Sequence, residues 1–337
     1  MLDLEAVERY LAAHLPGFSG PLTAEKTAIG QSNPTFVLTA ASGRYVLRRK
    51  PPGRLLKSAH AVDREFRVIA ALQGSDVPVP RSLLLCEDES VIGSDFYVMS
   101  YVPGRTVMDP RMPGADNAER AAFYDDMNRC LAALHNVDVD AVGLSDFGRP
   151  GSYFERQTSR WTRQYRASQT EEIAEMERLI DWLTAEMPAD DGRVALVHGD
   201  WRIDNLRLAP DAPKVAAVLD WELSTLGHPF ADLGYQLMQW RMPAGEIGRG
   251  LEGVDRAALG LPSDREYVEA YARRTGLSEL PDLTFPIVFA FFRIAAILQG
   301  VKKRALDGNA SNPEAALRMG SYVGEFARRG LAAIEGG

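Results

Sequence analysis

The sequence predicts an α+β protein built from two lobes, residues 1–102 and residues 103–337. Short runs of β-branched and aromatic residues between turn residues dominate the first lobe, which is typical of a small antiparallel sheet. From residue 118 onwards, apolar residues recur at helical spacing in one segment after another. The dipeptide Pro103-Gly104 separates the two patterns, and we expect it to form the hinge between the lobes.

Five strands and one helix are predicted for the first lobe, after an amphipathic helix over residues 3–14. Residues 59–73 place Val62, Phe66 and Ile69 on one side of a helix between the third and fourth strands. The strands are predicted within 23–40 (two strands and a turn), 44–48, 82–86 and 96–102.

The second lobe is expected to be mainly helical. Its predicted helices are 118–135, 153–166, 171–183, a segment from 235, 267–274, 285–306 and 313–334. The most apolar run, Phe285 to Leu298, is short for a membrane span and contains Arg293, so we expect a buried helix. Because a charge in so apolar a run must be paired or reach water, Arg293 is predicted either to contact a substrate or to form a salt bridge.

The composition is that of an ordinary soluble globular protein, with 337 residues, 46% apolar and 25% charged. The net charge of −8 argues against a polyanion-binding surface over the whole molecule, so no nucleic-acid partner is expected. Cys86 and Cys130 are too few for a disulfide framework. Acidic residues within 1–20 argue against a signal peptide, so we expect a cytoplasmic protein without a membrane partner.

A polar loop near the middle of the chain carries the main chemical signal. His198-Gly199-Asp200 follows an apolar run, and Asn205 comes five residues after the aspartate. The next two apolar segments flank the turn Pro210-Asp211-Ala212-Pro213, and the second of them ends at Asp220. These segments predict a hairpin that brings Asp220 back beside Asn205, with Asp200 in front of both.

This set of side chains matches what phosphoryl transfer needs. Magnesium prefers oxygen ligands and keeps several waters, so Asn205 and Asp220 suffice as its protein ligands beside nucleotide phosphates. A separate carboxylate must accept the proton of the attacking hydroxyl, and Asp200 fits that role. The alternative is that these polar residues only cap and tie a loop. A metal site formed by His198 and Asp200 is a further alternative, but the sequence has no second histidine near them.

The same residues resemble a known family. His198-Gly199-Asp200 with Asn205, followed by Asp220, is similar to the catalytic and metal-binding loops of the aminoglycoside phosphotransferase-like (choline kinase-like) small-molecule kinases. The run 219–234 resembles more closely the kinase-like domains associated with acyl-CoA dehydrogenases. The resemblance implies a two-lobed protein-kinase-like fold and an ATP- and magnesium-dependent small-molecule O-kinase, with GTP as an alternative nucleotide.

The resemblance also implies roles for residues outside the central loop. They are a phosphate-covering loop (Gly30, Gln31, Ser32, Asn33), a phosphate anchor (Arg48 with Glu65), a hinge whose backbone faces adenine (Ser100, Tyr101, Val102) and structural support (His198, Asp232). Each has a plainer alternative. The loop could be a simple hairpin turn, Arg48 a solvated strand end, Arg64 or Arg67 the partner of Glu65, and Asp232 a helix N-terminal residue.

The acceptor is the least determined part of the prediction. Arg156, Arg160, Arg163 and Arg166 lie close to one face of a predicted helix, which is either a solvated face or a contact for an anionic substrate. We expect a hydroxyacyl-CoA-type acceptor and an acyl-CoA dehydrogenase as a functional neighbour. The alternatives are an aminoglycoside acceptor and a nucleotide-binding scaffold with little catalysis. Trp221-Glu222 after Asp220, and the lack of an Ala-Pro-Glu segment, argue against a protein kinase.

Overall fold

Two units make up the chain in the computed structural model, which describes residues 2–27, 33–51, 61–245, 249–310 and 312–335. Unit 1 comprises Met1–Thr106, Asp138–Leu144 and Asp204–Ser224, and unit 2 comprises Val107–Val137, Ser145–Ile203 and Thr225–Gly337. The predicted lobe boundary after residue 102 stays a prediction, because two later segments join the N-terminal residues in unit 1.

Strands and helices in the described residues follow the predicted order. The strands are Thr23–Lys26 (β1), Thr35–Ala40 (β2), Gly43–Arg49 (β3), Ser82–Cys86 (β4), Phe96–Ser100 (β5), Arg105–Thr106 (β6), Ala195–Val197 (β7), Leu206–Leu208 (β8), Val215–Val218 (β9) and Thr225–Gly227 (β10). The helices are Leu4–His14 (α1), Val62–Ala71 (α2), Asn117–His135 (α3), Tyr153–Ser168 (α4), Ala174–Ala185 (α5), Phe230–Trp240 (α6), Asp264–Thr275 (α7), Thr284–Leu306 (α8), Pro313–Gly320 (α9) and Val323–Glu335 (α10).

The predicted five-stranded antiparallel sheet is confirmed in unit 1, with the strand order β1-β2-β3-β5-β4. Strand β3 is central, and its residue Arg48 pairs in register with Thr35 on one side and Tyr97 on the other. Val7 and Leu11 of α1 are fully buried in a core with Leu38 and Leu47 of the sheet. Burial of each such side chain stabilises the fold by about 1.5–3 kcal/mol. The sheet therefore holds Arg48 at a fixed place beside α2.

A second, three-stranded sheet in unit 1 contains the predicted hairpin, with the order β6-β8-β9. Leu206 lies opposite Val218 in the β8–β9 register, and Leu208 lies opposite Val215 after a bulge. Strand β6 was not predicted, because two residues are too few to show a β periodicity.

Unit 2 is mainly helical, as predicted, and its two-stranded sheet pairs β7 with β10. Ser263 begins α7 with a capping box, since its hydroxyl accepts from the Glu266 backbone and the Glu266 side chain accepts from the Ser263 backbone. The predicted buried helix is confirmed as α8. Helix α8 is long enough and apolar enough to cross a membrane, but 72% of its most apolar stretch is buried inside the protein.

The single closing helix predicted for 313–334 is wrong, because α9 ends at Gly320 and α10 begins at Val323. At Gly320 the backbone lies so close to α8 that an added Cβ would be 2.4 Å from the Cβ of Lys302. Glycine and the following Ser321 also favour a helix poorly. The chain therefore turns after its contact with α8 and starts a new helix.

We expect Gly234→Ala to destabilise unit 2, because α6 and α8 touch at this glycine. An alanine Cβ would lie 2.5 Å from the Pro286 Cβ and 2.7 Å from the Pro286 carbonyl carbon. The free energy of unfolding should fall by about 1–3 kcal/mol in a urea titration. Gly300→Ala in α8 is the matched control, because its nearest atom would be Arg304 Nη1 at 3.8 Å. The free energy of unfolding of Gly300→Ala should rise by about 0.5–1 kcal/mol. An equal fall in the free energy of unfolding of both variants would contradict the packing argument.

Candidate active site

In unit 1, the β8–β9 hairpin places Asp220 beside Asn205, as the sequence predicts. The backbone N–H of Leu219 donates to the Asn205 carbonyl oxygen at 2.8 Å. Asp220 then adopts a left-handed conformation with φ of 66°, and the buried Trp221 follows it. The Trp221 indole N–H donates to the Val218 carbonyl oxygen at 3.1 Å, so the backbone around Asp220 is fixed from both sides.

Arg48 joins the sheet to the segment that carries Asp220. Its Nε lies 3.1 Å from Glu65 Oε2, and its Nη2 lies 2.6 Å from Asp220 Oδ1 and 3.4 Å from Glu222 Oε2. The side chains of Arg48 and Glu65 are both buried. The pair that the sequence predicts is thus formed, and Glu65 faces Arg48. Whether the pair anchors a phosphate stays a prediction.

Glu65 has two more partners, one in the loop before β2 and one in β5. The Asn33 side-chain amide donates to Glu65 Oε1 at 2.7 Å, and the Tyr97 hydroxyl donates to Glu65 Oε2 at 3.1 Å. Burial raises the pKa of Glu65 to about 7, although the Arg48 cation opposes that rise. Asn33 is fully buried, so its side chain supports the ion pair, while the other predicted loop residues, Gly30, Gln31 and Ser32, lie outside the described residues.

The predicted hinge follows the end of β5. The backbone N–H of Ser100 donates to the Arg81 carbonyl oxygen at 2.9 Å, and that of Tyr101 donates to the Arg44 carbonyl oxygen at 3.3 Å. The guanidinium of Arg44 also stacks on the Tyr101 ring at 3.8 Å. These bonds hold the first two hinge residues to unit 1. A role of Ser100, Tyr101 and Val102 in binding adenine stays a prediction.

In unit 2, a buried carboxylate holds the loop that contains Asp200. The backbone N–H groups of His198 and Gly199 donate to Asp232 Oδ2 and Oδ1 at 2.6 and 2.8 Å. The Asp200 backbone N–H donates to His198 Nδ1 at 3.2 Å. Asp232 lies in the first turn of α6, as the alternative interpretation expected, but its carboxylate binds the loop backbone. His135, at the end of α3, supports Asp232 from the other side at 3.3 Å.

Both oxygens of Asp200 have partners. The Tyr235 hydroxyl donates to Oδ1 at 2.7 Å, and Arg202 Nη2 lies 3.1 Å from Oδ2. Burial acts to raise the pKa of Asp200, but Arg202, the Tyr235 hydrogen bond, His198 and Arg293 together hold it below its ordinary value. Asp200 is therefore a carboxylate at neutral pH, as a proton acceptor must be.

Three guanidinium groups lie near Asp200. Arg202 contacts it directly, and Arg293 Nη2 donates to the carbonyl oxygen of the preceding residue, Gly199. The pKa of Arg249 is lowered by burial and by the charge of Arg202, while the charge of Asp200 acts to raise it. The Arg293 guanidinium also lies 5.6 Å from the centre of the Tyr235 ring.

Among the residues that the structure describes, Arg293 forms no salt bridge, which was one of its two predicted roles. Its guanidinium donates instead to the Gly199 carbonyl oxygen, in the loop that contains Asp200. The carbonyl of Gly199 satisfies this buried cation as a carboxylate would. Contact with a substrate stays a prediction for Arg293.

The four arginines predicted to lie on one face of α4 have different surroundings. The Arg156 guanidinium donates to the carbonyl oxygens of Arg149 and Pro150 at 2.6 and 3.3 Å, so it holds the loop before the helix. Arg166 forms an ion pair with Glu177 of α5. Arg160 and Arg163 are exposed. Substrate contact by Arg156, Arg160 or Arg163 stays a prediction.

The sequence analysis did not predict that Tyr235, Arg202 and His135 lie around the loop that contains Asp200. Arg202 lies between Asp200 and Asn205 of the predicted loop, so its position two residues after Asp200 was an available signal. Tyr235 and His135 come from α6 and α3, and no sequence spacing connects them to residue 200. Their contacts depend on how the helices of unit 2 pack.

Comparisons with known proteins agree with the resemblance. The family model described as "Phosphotransferase enzyme family" matches residues 23–282. A solved structure of a putative aminoglycoside phosphotransferase from Ralstonia eutropha is 48% identical, covers 99% of both chains and has a TM-score of 0.89. Spectinomycin phosphotransferase, solved with ADP and spectinomycin, is 12% identical, with a TM-score of 0.65 over 98% of both chains, and shares the fold.

A curated relative supports the closer branch of the resemblance. Mouse acyl-CoA dehydrogenase family member 10 is 47% identical over 313 residues. The match covers 92% of this chain and 29% of that protein, so the chain spans less than a third of the relative's length. The predicted fold class and both parts of the resemblance are thereby confirmed.

We expect Asp232→Asn to destabilise the protein, because an amide cannot accept from both loop N–H groups and also face His135. At pH 7 the free energy of unfolding in urea should fall by about 1–3 kcal/mol. Burial acts to raise the pKa of Asp232, but His135, His198 and the loop N–H groups hold it below its ordinary value. Its stabilisation is therefore complete above the unfolded pKa of about 3.9 and is lost as the pH falls through the lower folded value.

The difference in the free energy of unfolding between Asp232→Asn and the unmodified protein should therefore become smaller as the pH falls below about 3.9. Asp181→Asn on the exposed side of α5 is the control and should unfold like the unmodified protein at every pH. Equal unfolding midpoints for Asp232→Asn and the control at pH 7 would show that the carboxylate does not hold the loop.

Proposed function

This chain belongs to the phosphotransferase enzyme family and is a small-molecule O-kinase, and we propose that it transfers the γ-phosphoryl group of ATP to a hydroxyl of an anionic, hydroxyacyl-CoA-type metabolite. The observation that carries this choice is the positive charge near Asp200, contributed by Arg202, Arg249 and Arg293. Such charge attracts an anionic acceptor and repels a polycationic aminoglycoside.

The names of the relatives support two different acceptors. The 48% identical solved structure is described as a putative aminoglycoside phosphotransferase. The 47% identical mouse relative is an acyl-CoA dehydrogenase family member, in which the matching region is a minor part. We prefer the acyl acceptor because the charges near Asp200 favour it, and we propose an acyl-CoA dehydrogenase as a functional neighbour.

Asp200 is the proposed proton acceptor. As the acceptor hydroxyl oxygen bonds to the γ-phosphorus, the bond from that phosphorus to the ADP oxygen breaks, and the hydroxyl proton passes to Asp200. Tyr235 holds one carboxylate oxygen at 2.7 Å, which orients the group. Asp232 and His198 keep the loop backbone in place, so the carboxylate is preorganised for the reaction.

Arg48 is the proposed anchor for a nucleotide phosphate. Its Nε and Nη2 donors face carboxylates, and we assign Nη1 to a phosphate oxygen. Glu65 fixes the guanidinium, and Asn33 and Tyr97 fix Glu65. In the hinge, the N–H groups of Ser100 and Tyr101 already donate to carbonyls, so we assign adenine to the carbonyl oxygens of the hinge and to the Val102 N–H.

A magnesium ion fits the residues at the end of the hairpin. Asn205 and Asp220 supply an amide oxygen and a carboxylate from segments that are joined by a backbone hydrogen bond. The Asp220 side chain is 25% exposed, and Arg48 contacts only its Oδ1. Hard oxygen donors of this kind suit magnesium, whose other ligands are commonly phosphates and water. When bound, the ion neutralises phosphate charge.

Asp200→Ala should lower turnover by roughly 10²–10⁴-fold, since the acceptor hydroxyl loses its proton acceptor. The affinity for ADP, measured by calorimetry, should stay within about twofold of the unmodified protein, because the proposed nucleotide contacts are elsewhere. Asp211→Ala, in the exposed hairpin turn, is the control for loss of a carboxylate. Unchanged turnover in Asp200→Ala would show that Asp200 is not the proton acceptor, and it would favour the alternative that the protein is a nucleotide-binding scaffold.

The acceptor is tested by ADP release with a panel of compounds. The panel contains hydroxyacyl-CoAs, the same acyl-CoAs without the hydroxyl, free hydroxy acids and aminoglycosides, each with ATP and magnesium. We expect the largest kcat/KM for a hydroxyacyl-CoA and no release above background for its dehydroxylated counterpart, because the hydroxyl is the nucleophile. A higher kcat/KM for any aminoglycoside than for every acyl thioester would overturn the proposed acceptor.

A further inference from the structure

The side chain of Arg293 connects α8 with the loop that contains Asp200. Arg293 is 7% exposed, and its Nη2 donates to the carbonyl oxygen of Gly199. The guanidinium carbon lies 5.6 Å from the centre of the Tyr235 ring and 6.0 Å from the centre of the Trp161 ring. All of these residues belong to unit 2. The apolar helix α8 therefore places one buried cation directly against the backbone of the loop.

The peptide group between Gly199 and Asp200 is held at both ends. Its carbonyl oxygen, from Gly199, accepts from Arg293, and its N–H, from Asp200, donates to His198 Nδ1 at 3.2 Å. Gly199 itself has a left-handed backbone with φ of 81°. Because a peptide group is planar, two fixed ends set the orientation of the whole plane. That orientation determines the direction in which the Asp200 side chain leaves the backbone.

Arg293 also supports the side chain of Asp200 through Tyr235. The Tyr235 ring packs beside the guanidinium, and its hydroxyl donates to Asp200 Oδ1 at 2.7 Å. Burial acts to raise the pKa of Asp200, and the Arg293 cation is one of the charges that hold it below its ordinary value. One residue of α8 thus acts on the backbone, the hydrogen-bond partner and the charge of Asp200.

From these contacts, and on the basis of the proton-accepting role proposed for Asp200, we propose that Arg293 is a positioning residue for the reaction. Its guanidinium holds the Gly199–Asp200 peptide and the Tyr235 ring, so that the Asp200 carboxylate keeps the direction that proton transfer requires. Arg293 itself gains and loses no proton. A displacement of a reacting group by about 1 Å can cost about 10²-fold in rate, so a residue that only fixes this direction can matter for turnover.

Two other roles for Arg293 lead to different measurements. A guanidinium that binds an anionic acceptor would change the acceptor KM and leave kcat almost unaltered. A guanidinium that only packs α8 against its neighbours would affect the stability of unit 2 as a whole, and not the loop in particular. The positioning role predicts a local change at Gly199 and Asp200 together with a lower kcat.

The first measurement is amide hydrogen exchange of the full chain without ligand, followed residue by residue by NMR. Arg293→Met keeps an apolar stem of similar length and removes the guanidinium. Relative to the N–H groups of β7, those of Gly199 and Asp200 should exchange about 10-fold faster than in the unmodified protein, because the peptide loses one fixed end. Arg293→Lys should restore most of the protection, since an ammonium can donate to the same carbonyl oxygen.

The second measurement is turnover by ADP release, with ATP, magnesium and the hydroxyacyl-CoA that gives the largest kcat/KM. Arg293→Met should lower kcat by about 10–10²-fold, because a misplaced proton acceptor slows the chemical step. The acceptor KM should stay within about twofold. Arg293→Lys should recover part of the lost kcat, as it recovers the protection of the loop.

Gln299→Met is the matched control, because it also removes a buried polar side chain from α8. The Gln299 amide donates to the Ser168 carbonyl oxygen at 2.8 Å and to Thr170 Oγ1 at 3.0 Å, at the end of α4. Its loss should lower the stability of unit 2 but change neither kcat nor the exchange of the loop relative to β7. Arg293→Gln, which is neutral and polar, replaces Arg293→Met if the methionine variant does not fold, and the same results are expected.

Equal exchange at Gly199 and Asp200 in Arg293→Met and Gln299→Met would overturn the inference. A raised acceptor KM with an unchanged kcat in Arg293→Met would also overturn it, and would make Arg293 a binding residue. An unmodified protein that releases ADP with no compound of the panel would overturn the proposed function. The exchange measurement needs neither nucleotide nor acceptor, so in that case it still decides whether Arg293 holds the loop.

Discussion

One buried guanidinium holds the sheet of unit 1 to α2 and to the segment after the β8–β9 hairpin. Arg48 comes from the central strand of the sheet and contacts acidic residues of α2 and of the segment after the hairpin. A buried cation is costly unless its partners are well placed, so the sheet, the helix and the hairpin must all form correctly for the ion cluster to be tolerated. The cluster thus links the fold of unit 1 to the position of Asp220.

In unit 2, a buried anion has a similar role. Asp232 accepts two backbone N–H groups of the loop before Asp200, and His135 lies on its other side. Backbone N–H groups inside a protein need acceptors, and a carboxylate is a strong one. The loop conformation is therefore set by a residue of α6, and the side chain of Asp200 is left to interact with Tyr235 and Arg202. In each unit a buried charge fixes the backbone that carries one of the predicted site carboxylates, Asp220 in unit 1 and Asp200 in unit 2.

The main elements of the fold were predictable because their periodicities are long enough to read. The five strands, α1, α3 and the apolar helix α8 all show clear patterns. Strands β6, β7 and β10 have only two or three residues and show none. The break between α9 and α10 depends on the close approach of Gly320 to α8, which is a tertiary contact and not a local preference.

The candidate site was predictable only where its residues are close in sequence or belong to the family motif. The hairpin connects Asn205 with Asp220 through local pairing, so turn residues and apolar runs were sufficient. The residues around Asp200 come from several helices, and their meeting is decided by packing. Asn33 illustrates the same limit, because its loop position was predicted and its burial against Glu65 was not.

The left-handed backbone of Asp220 bears on how this protein can tolerate substitution. An L-residue other than glycine is disfavoured at φ of 66° by about 1–2 kcal/mol, with aspartate and asparagine among the less disfavoured. Glycine would relieve this backbone strain, but it would also remove the carboxylate that pairs with the buried guanidinium of Arg48. Stability-guided redesign of this chain should leave position 220 unchanged, since the backbone strain of Asp220 is offset by its ion pair with Arg48.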